Sequence, residues 1–252
     1  MADSRGYYIR AKELYEQHLV KCIAFYGTQD HPNVATTINC LGDVASSQGS
    51  YEVALKHYQE TLDIYTEIYG TREHPSVATT IHCMGNVADS QGNYELAEAL
   101  YLEALNIFVE TFNTRQHEQV AWTLDAHGKL KYLQGHLSEA QIMLQEALDI
   151  LISVYKTQRH PEIAATLKTL GDVSNAQGEY ASALNLYQEA LDIWSQTIKN
   201  PEHKDIKEVT FSIADTDNKI RQQSHIVTSS YQDFSHMKGT AHSRSNQDCL
   251  IM

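Results

Sequence analysis

Three kinds of residue in this chain could do chemistry: its last cysteine, its histidines and its other thiols. The chain ends Cys249-Leu250-Ile251-Met252. A cysteine, two aliphatic residues and a terminal methionine form the C-a-a-X pattern read by a farnesyltransferase. Processing would remove Leu250 to Met252 and leave a thioether-linked lipid on Cys249. The plainer readings are a fortuitous end and a hydrophobic C-terminal ligand for a PDZ-like groove. One lipid chain gives marginal, reversible membrane binding. Second signals are thin, with only Lys238 and Arg244 nearby. The pattern therefore predicts a cytoplasmic body with weak, exchangeable membrane association.

The thirteen histidines invite a metal reading. Five of them, His31, His74, His117, His160 and His203, recur every 43 residues. Residues one repeat apart are separated by roughly 8–10 Å per packed helix, whereas zinc ligands sit about 2 Å from a single ion. They cannot share a site, so each reads as a turn residue capping a helix. His127 stands where other repeats have leucine or methionine, and reads as a paired core histidine. Cys40 and Cys83 occupy equivalent places in successive repeats, too far apart for a disulfide. No phosphate-cradling loop and no nucleophile–base motif is visible. No catalytic residue, metal or cofactor is expected, and the chain reads as a non-enzyme.

Composition agrees. The 252 residues carry 32 acids against 19 bases, a net charge of −13. Nucleic acids and anionic membranes both require a dense cationic surface, so no nucleic-acid partner is expected. No apolar run reaches the roughly 20 residues of a membrane span.

The periodic histidines mark an internal repeat. "HPNVATTINCLGDVASSQGSYEVALKHYQETLDIYTEIYG" from His31 is echoed from His74, His117 and His160, and faintly from His203. Self-similarity at this period is the mark of a solenoid. Each repeat holds two helices. The first opens on His-Pro in repeats one, two and four, with proline at a first helical position, and on His117-Glu118 in repeat three, and closes at Gln-Gly. The second runs from Tyr51 to about Tyr69 in the first repeat. Gly42, Gly85, Gly128 and Gly171 sit in mid-helix, each costing ~1 kcal/mol against alanine. Their recurrence implies close approach by the partner helix, with Ala54, Ala97, Ala140 and Ala183 as its small counterparts. Tyr58, Tyr101, Leu144 and Tyr187 fill the space between. Expected boundaries are an unpaired second helix at 1–30, repeats at 31–73, 74–116, 117–159 and 160–202, a polar capping helix at 203–224 and a flexible tail at 225–252.

Leu-Gly, the later Gly-x-Tyr, the small Ala and the following Tyr resemble the tetratricopeptide repeat. The 43-residue wording is similar to the long-helix variant of kinesin light chains and nephrocystin-like proteins, over residues 8–222. The resemblance implies an all-α right-handed superhelical solenoid of antiparallel helix pairs, about ten helices in all. Kinesin light chains carry an N-terminal heptad segment for the motor heavy chain, and residues 1–30 show none. A kinesin heavy chain is therefore an alternative partner without support here. A motor cargo subunit and a host-directed microbial effector are the competing functions.

In such arrays the first helices line a groove, and the resemblance assigns four inward positions per repeat. These are Thr36, Asn39, Asp43 and Ser46; Thr79, His82, Asn86 and Asp89; Trp122, Asp125, Lys129 and Tyr132; and Ala165, Lys168, Asp172 and Asn175. They differ between repeats while the core hardly varies. Trp122 and Tyr132 with Lys129 and Lys168 resemble hot-spot chemistry. The expected partners are protein or peptide segments with apolar and acidic residues, held mainly by repeats three and four.

Overall fold

The computed structural model describes residues 2–223, with side chains from residue 6. The tail and Cys249 lie outside the described residues. Ten helices and no strands occur among those described. They are α1 (Ala2–Tyr26), α2 (Pro32–Ser47), α3 (Tyr51–Tyr69), α4 (Pro75–Ser90), α5 (Tyr94–Phe112), α6 (Glu118–Leu133), α7 (Leu137–Tyr155), α8 (Pro161–Ala176), α9 (Tyr180–Thr197) and α10 (204–223). The chain divides into two units, residues 1–158 and 159–252.

Each first helix starts the same way. The ring Nδ1 of His31, His74, His117 and His160 accepts the backbone N–H two residues on, at 3.1, 3.2, 3.4 and 3.3 Å. That satisfies one of the amides a helix start leaves unpaired. The rings of His31, His74 and His117 also stack on Tyr26, Tyr69 and Phe112, with centroids 3.4, 3.5 and 3.7 Å apart. One histidine thus ties the end of one repeat to the start of the next. The turn after each first helix closes on a glycine with φ between +73° and +81° (Gly49, Gly92, Gly135, Gly178), a conformation costly for other residues.

In the first unit, consecutive helices pack as antiparallel neighbours, and α4 also touches α2 and α6 directly. Helices of one layer that meet are on the inside of the bend. The first helices α2, α4 and α6 therefore form the inner face, and α1, α3, α5 and α7 the outer layer. The core lies between the layers, where Ala54, Ala97, Ala140 and the side chains of Tyr58, Tyr101 and Leu144 are at most 1% exposed. In the second unit, Gly171 of α8 faces Tyr187 of α9 in the same way.

The third repeat departs from this plan. Leu144 replaces the tyrosine, and His127 (2% exposed) and Lys131 (7%) enter the core. Lys131 Nζ donates to Glu98 Oε1 at 2.7 Å and lies 3.5 Å from Glu139. His127 Nε2 stands 3.8 Å from the same Glu98, too far for a hydrogen bond, and is buried without a partner. Burial pushes the imidazole pKa down, opposed by Glu98. A buried ring nitrogen lacking a partner costs about 1–3 kcal/mol. His127→Leu, which restores the residue of repeats one and four, is expected to stabilise the chain by about 1 kcal/mol in urea unfolding. A destabilised variant would show that the ring is needed where it stands.

Candidate functional site

The inner positions share one helical face because they are spaced i, i+3, i+7 and i+10. The core tyrosines support them from behind. Tyr58 Oη donates to Asp43 Oδ1 at 2.7 Å, Tyr101 Oη to Asn86 Oδ1 at 2.8 Å and Tyr187 Oη to Asp172 Oδ1 at 2.8 Å. A phenol anchored beside the core glycine thus fixes one polar group on the face in three repeats. In the third repeat both ends of this strut are gone. Leu144 has no hydroxyl, and Lys129 stands in the acceptor's place, pairing instead with Asp125 one turn back.

The rest of the first unit's face is a polar lattice. Thr36 Oγ1 lies 2.8 Å from Tyr65 Oη. Asn39 Nδ2 donates weakly to Asp43 Oδ2 at 3.5 Å. His82 Nδ1 lies 3.3 Å from Thr123 Oγ1, linking α4 to α6. Thr79 donates back to Pro75 O at 3.0 Å. Ser46, Asp89 and Tyr132 are half-buried, and Trp122 is 37% exposed. In the second unit, Lys168 Nζ donates to Asp172 Oδ2 at 2.8 Å. Lys219 of α10 donates to Asn175 Oδ1 at 3.1 Å, and Ala165 is half-buried. Lys168 also borders an open depression with Lys207, Glu208, Phe211 and Ser212.

Two consequences bear on chemistry. The cations singled out in the sequence, Lys129 and Lys168, are each paired with a carboxylate of their own helix. The face's thiol and phenols are also held in their protonated forms. Burial pushes the Cys83 thiol up, aided by the charge of Asp43, and burial likewise raises Tyr58 and Tyr101. Asp43 is solvent-accessible yet crowded by the walls of the inner face. Burial raises its carboxyl pKa against the hydrogen bonds from Tyr58, Cys83 and Asn39. A thiol held protonated is a poor nucleophile. The arrangement offers hydrogen-bond donors, acceptors and an aromatic surface. Among the described residues no group of three His, Cys, Asp or Glu is placed to hold a metal ion, and no helix is long and apolar enough to cross a membrane.

His82 sets a pH dependence. Burial lowers its pKa to about 4, opposed by Asp125. The unfolded histidine, near 6.5, takes up its proton first as pH falls. Its stabilising contribution is therefore complete above pH 6.5 and is lost between 6.5 and about 4. Burial lowers His57 and His127 too, so they act in the same direction. The raised carboxyls of Asp43 and Asp89 act oppositely, at the acidic end of the window. The His82 term is at most on the order of 3 kcal/mol, less because part of the ring reaches solvent. The melting temperature is expected to fall between pH 7 and pH 5, and His82→Gln to flatten that fall. An unchanged slope in the variant would contradict the assignment.

The tyrosine struts and the histidine–aromatic stacks are not read from the sequence. Both leave a signal in retrospect. The donor follows the acceptor by 15 residues in repeats one, two and four, and repeat three changes both residues together.

Tetratricopeptide repeat models match residues 4–67, 33–108 and 76–153 in one form and 163–205 in a second. Among solved structures, BtubC (BKLC) from P. vanneervenii is similar at a TM-score of 0.62 and 24% identity, over 80% of each chain. A kinesin light chain-like protein of nearly identical TPR-like repeats from Podosopora anserina is similar at a TM-score of 0.61 and 18% identity, over 82% of this chain and 98% of that one. Its Q17M form gives 0.61 and 17%, over 86% and 98%. At these identities the likeness is one of fold. No curated protein matches the chain in sequence. The helix-pair packing, the glycine–tyrosine ladder and the span of the matches lead to one conclusion: the chain belongs to the tetratricopeptide repeat family.

Proposed function

We propose that the chain is a non-enzymatic adaptor that holds peptide segments of partner proteins on its inner helix face. The observation behind this reading is the contrast between a uniform core and a varied face. Repeats one, two and four use the same glycine, tyrosine and alanine in the core, while the four inward positions change chemistry from repeat to repeat. A scaffold that keeps its packing and varies one face is suited to reading sequence. The third repeat supplies the anchor. Trp122 offers a partly exposed indole, with Tyr132 on the same stripe and Lys129 nearby. The Lys129–Asp125 pair is exposed on the lysine side, and such pairs contribute only about 0–1 kcal/mol. A ligand carboxylate can therefore take over Lys129 at small cost while an apolar side chain seats against Trp122. Capture of partner peptides, compared between the parent and Trp122→Ala/Lys129→Glu, tests the assignment.

The C-a-a-X terminus adds a reversible tether. Farnesylation at Cys249 gives weak membrane affinity, which a second weak attachment through the inner face multiplies. In eukaryotic cells the C-terminal peptide is expected to carry farnesyl on Cys249 without Leu250 to Met252. Cys249→Ser is expected to move the membrane fraction of the protein to the soluble pool. An unmodified full-length terminus, with the variant distributed like the parent, would remove the tether from the proposal.

A further inference from the structure

Helix α10 begins as the first helices of the repeats do. His203 Nδ1 accepts the N–H of Asp205 at 3.4 Å, as His160 accepts that of Glu162. Its positions therefore follow those of α8 at the 43-residue interval. The face that receives a second helix is changed, however. On α8 that face is Ala164, Leu167 and Ser174, at most 3% exposed, with Gly171 making room for the Tyr187 ring. On α10 the counterparts are Lys207, Thr210, Asp217 and Ala214. A Cβ at Gly171 would stand 2.5 Å from Tyr187, and Ala214 carries one. A charged and obstructed face of this kind is not built to pack a fifth second helix.

The inner face of α10 is the reverse case. Phe211 stands at the position of Lys168 and is 74% exposed, the one exposed large apolar side chain among the described residues of the second unit. It borders a depression of about 360 Å³ with Lys168, Lys207, Glu208 and Ser212. Glu208 lies 3.5 Å from Lys204. Lys207 pairs with Glu202 in the open, where such pairs are weak. A phenylalanine beside two ammonium groups suits an aromatic ring that adjoins a carboxylate, the ring by apolar contact and the carboxylate by charge.

The chain itself supplies that combination. The tail follows α10 directly, and its sequence places Tyr231-Gln232-Asp233-Phe234 eight to eleven residues beyond the helix end at 223. Phe211 lies about 18 Å back along α10 from that end, at 1.5 Å per residue. An extended chain covers about 3.3 Å per residue, so Val227 reaches only about 13 Å, whereas Tyr231 reaches about 26 Å and Phe234 about 36 Å. Ile226 and Val227 thus fall short of the depression, and Tyr231 to Phe234 meet it with slack. Asp233 is also the only acid between residues 224 and 247.

We infer that the segment Tyr231–Phe234 folds back along the inner face of α10 and docks in this depression. An aromatic ring of the segment lies against Phe211, and Asp233 lies between Lys168 and Lys207. The segment is held by a short tether at an effective concentration in the millimolar range, so a weak contact suffices. The tail then serves as an internal ligand on the inner face of the second unit. Its consequence, competition with partner peptides, rests on the adaptor reading; the contact itself does not.

Disulfide trapping in the full chain tests the contact. All chains carry Cys249→Ser, so that the engineered tail thiol is the only one there. Ser212→Cys/Gln232→Cys keeps Phe211, Asp233 and both aromatic residues of the segment. In a glutathione buffer it is expected to close an intrachain disulfide about tenfold faster than the same chain with Asp233→Lys/Phe234→Ser, whose tether is identical. Lys168→Glu/Lys207→Glu should slow closure in the same way. The tail substitutions leave the helices untouched, so misfolding cannot imitate their effect. Equal rates in all three chains would mean random encounter and would overturn the proposal. That result would leave the adaptor reading standing, since partner capture is measured separately.

Discussion

Gly42→Ala is expected to lower the urea midpoint of unfolding, and Gly6→Ala to raise it. The two substitutions are chemically identical and both fall within helices. Replacing a helical glycine by alanine gains about 1 kcal/mol of backbone entropy wherever the methyl has room. At Gly6 a Cβ would meet nothing within 4 Å, so only the gain remains. At Gly42 it would stand 2.5 Å from Cε1 and 2.8 Å from Cδ1 of Tyr58. That ring has nowhere to go. It is 1% exposed, packed with Ala45, Ala54 and Val87, and tied by its hydroxyl to Asp43 at 2.7 Å. Overpacking a fixed ring costs about 1–3 kcal/mol, occasionally more, which outweighs the helical gain. The bulkier Gly42→Val should cost roughly 3 kcal/mol or more. Tyr58 is also the strut beneath Asp43, so the same substitution is expected to disturb the inner face as well as the core. Equal stability of Gly42→Ala and the parent would mean that the two helices sit farther apart than described here.

The clash explains why the fold is legible in the sequence. A residue that weakens its own helix, repeated at 43-residue intervals, makes sense only where a neighbour needs the room. Gly42, Gly85 and Gly171 each face a tyrosine, and Gly128 faces Leu144. The His-Pro starts and Gln-Gly ends were equally plain, because capping and left-handed turns depend on residues adjacent in the chain. The site was less legible, for reasons of geometry. Which four positions face inward follows from helical spacing. What they bond to does not, because those partners lie on other helices. Lys129 and Lys168 read in the sequence as the cations among the inward positions. In the structure each is paired to an aspartate on its own helix, at i−4 for Lys129 and i+4 for Lys168. Asp43 reads in the sequence as an inward polar position; its crowding by the inner face and the phenol that holds it from the layer behind do not show there. The capping role of the histidines is legible in the sequence, whereas their stacking on Tyr26, Tyr69 and Phe112 is not. That contact joins residues five apart across a turn, where helical spacing rules do not apply.

The third repeat combines these themes. It has lost the tyrosine strut and gained Trp122, Lys129, His127 and Lys131. Core residues that serve packing alone are held in place by their neighbours, and here the neighbours changed together. Leu144 shortens the side chain opposite Gly128, and Lys131 and His127 gather around Glu98. The cost falls on stability. The change gives the face its single tryptophan.

Trp122 is therefore where the function is best tested. Its indole, with Tyr132 and Lys129, is the one place on the inner face of the first unit that offers a large apolar anchor beside a cation. Truncation of such an anchor typically costs 2 kcal/mol or more in binding, about thirtyfold in affinity, and charge reversal at Lys129 adds repulsion toward a ligand carboxylate. The direct measurement is quantitative capture of cellular partners, identified by mass spectrometry, on the full chain and on Trp122→Ala/Lys129→Glu. Circular dichroism of both chains serves as the check on folding. Loss of the parent's specific partners with unchanged helicity is the expected result. The same partners retained at the same affinity by the folded double variant would contradict recognition through this face.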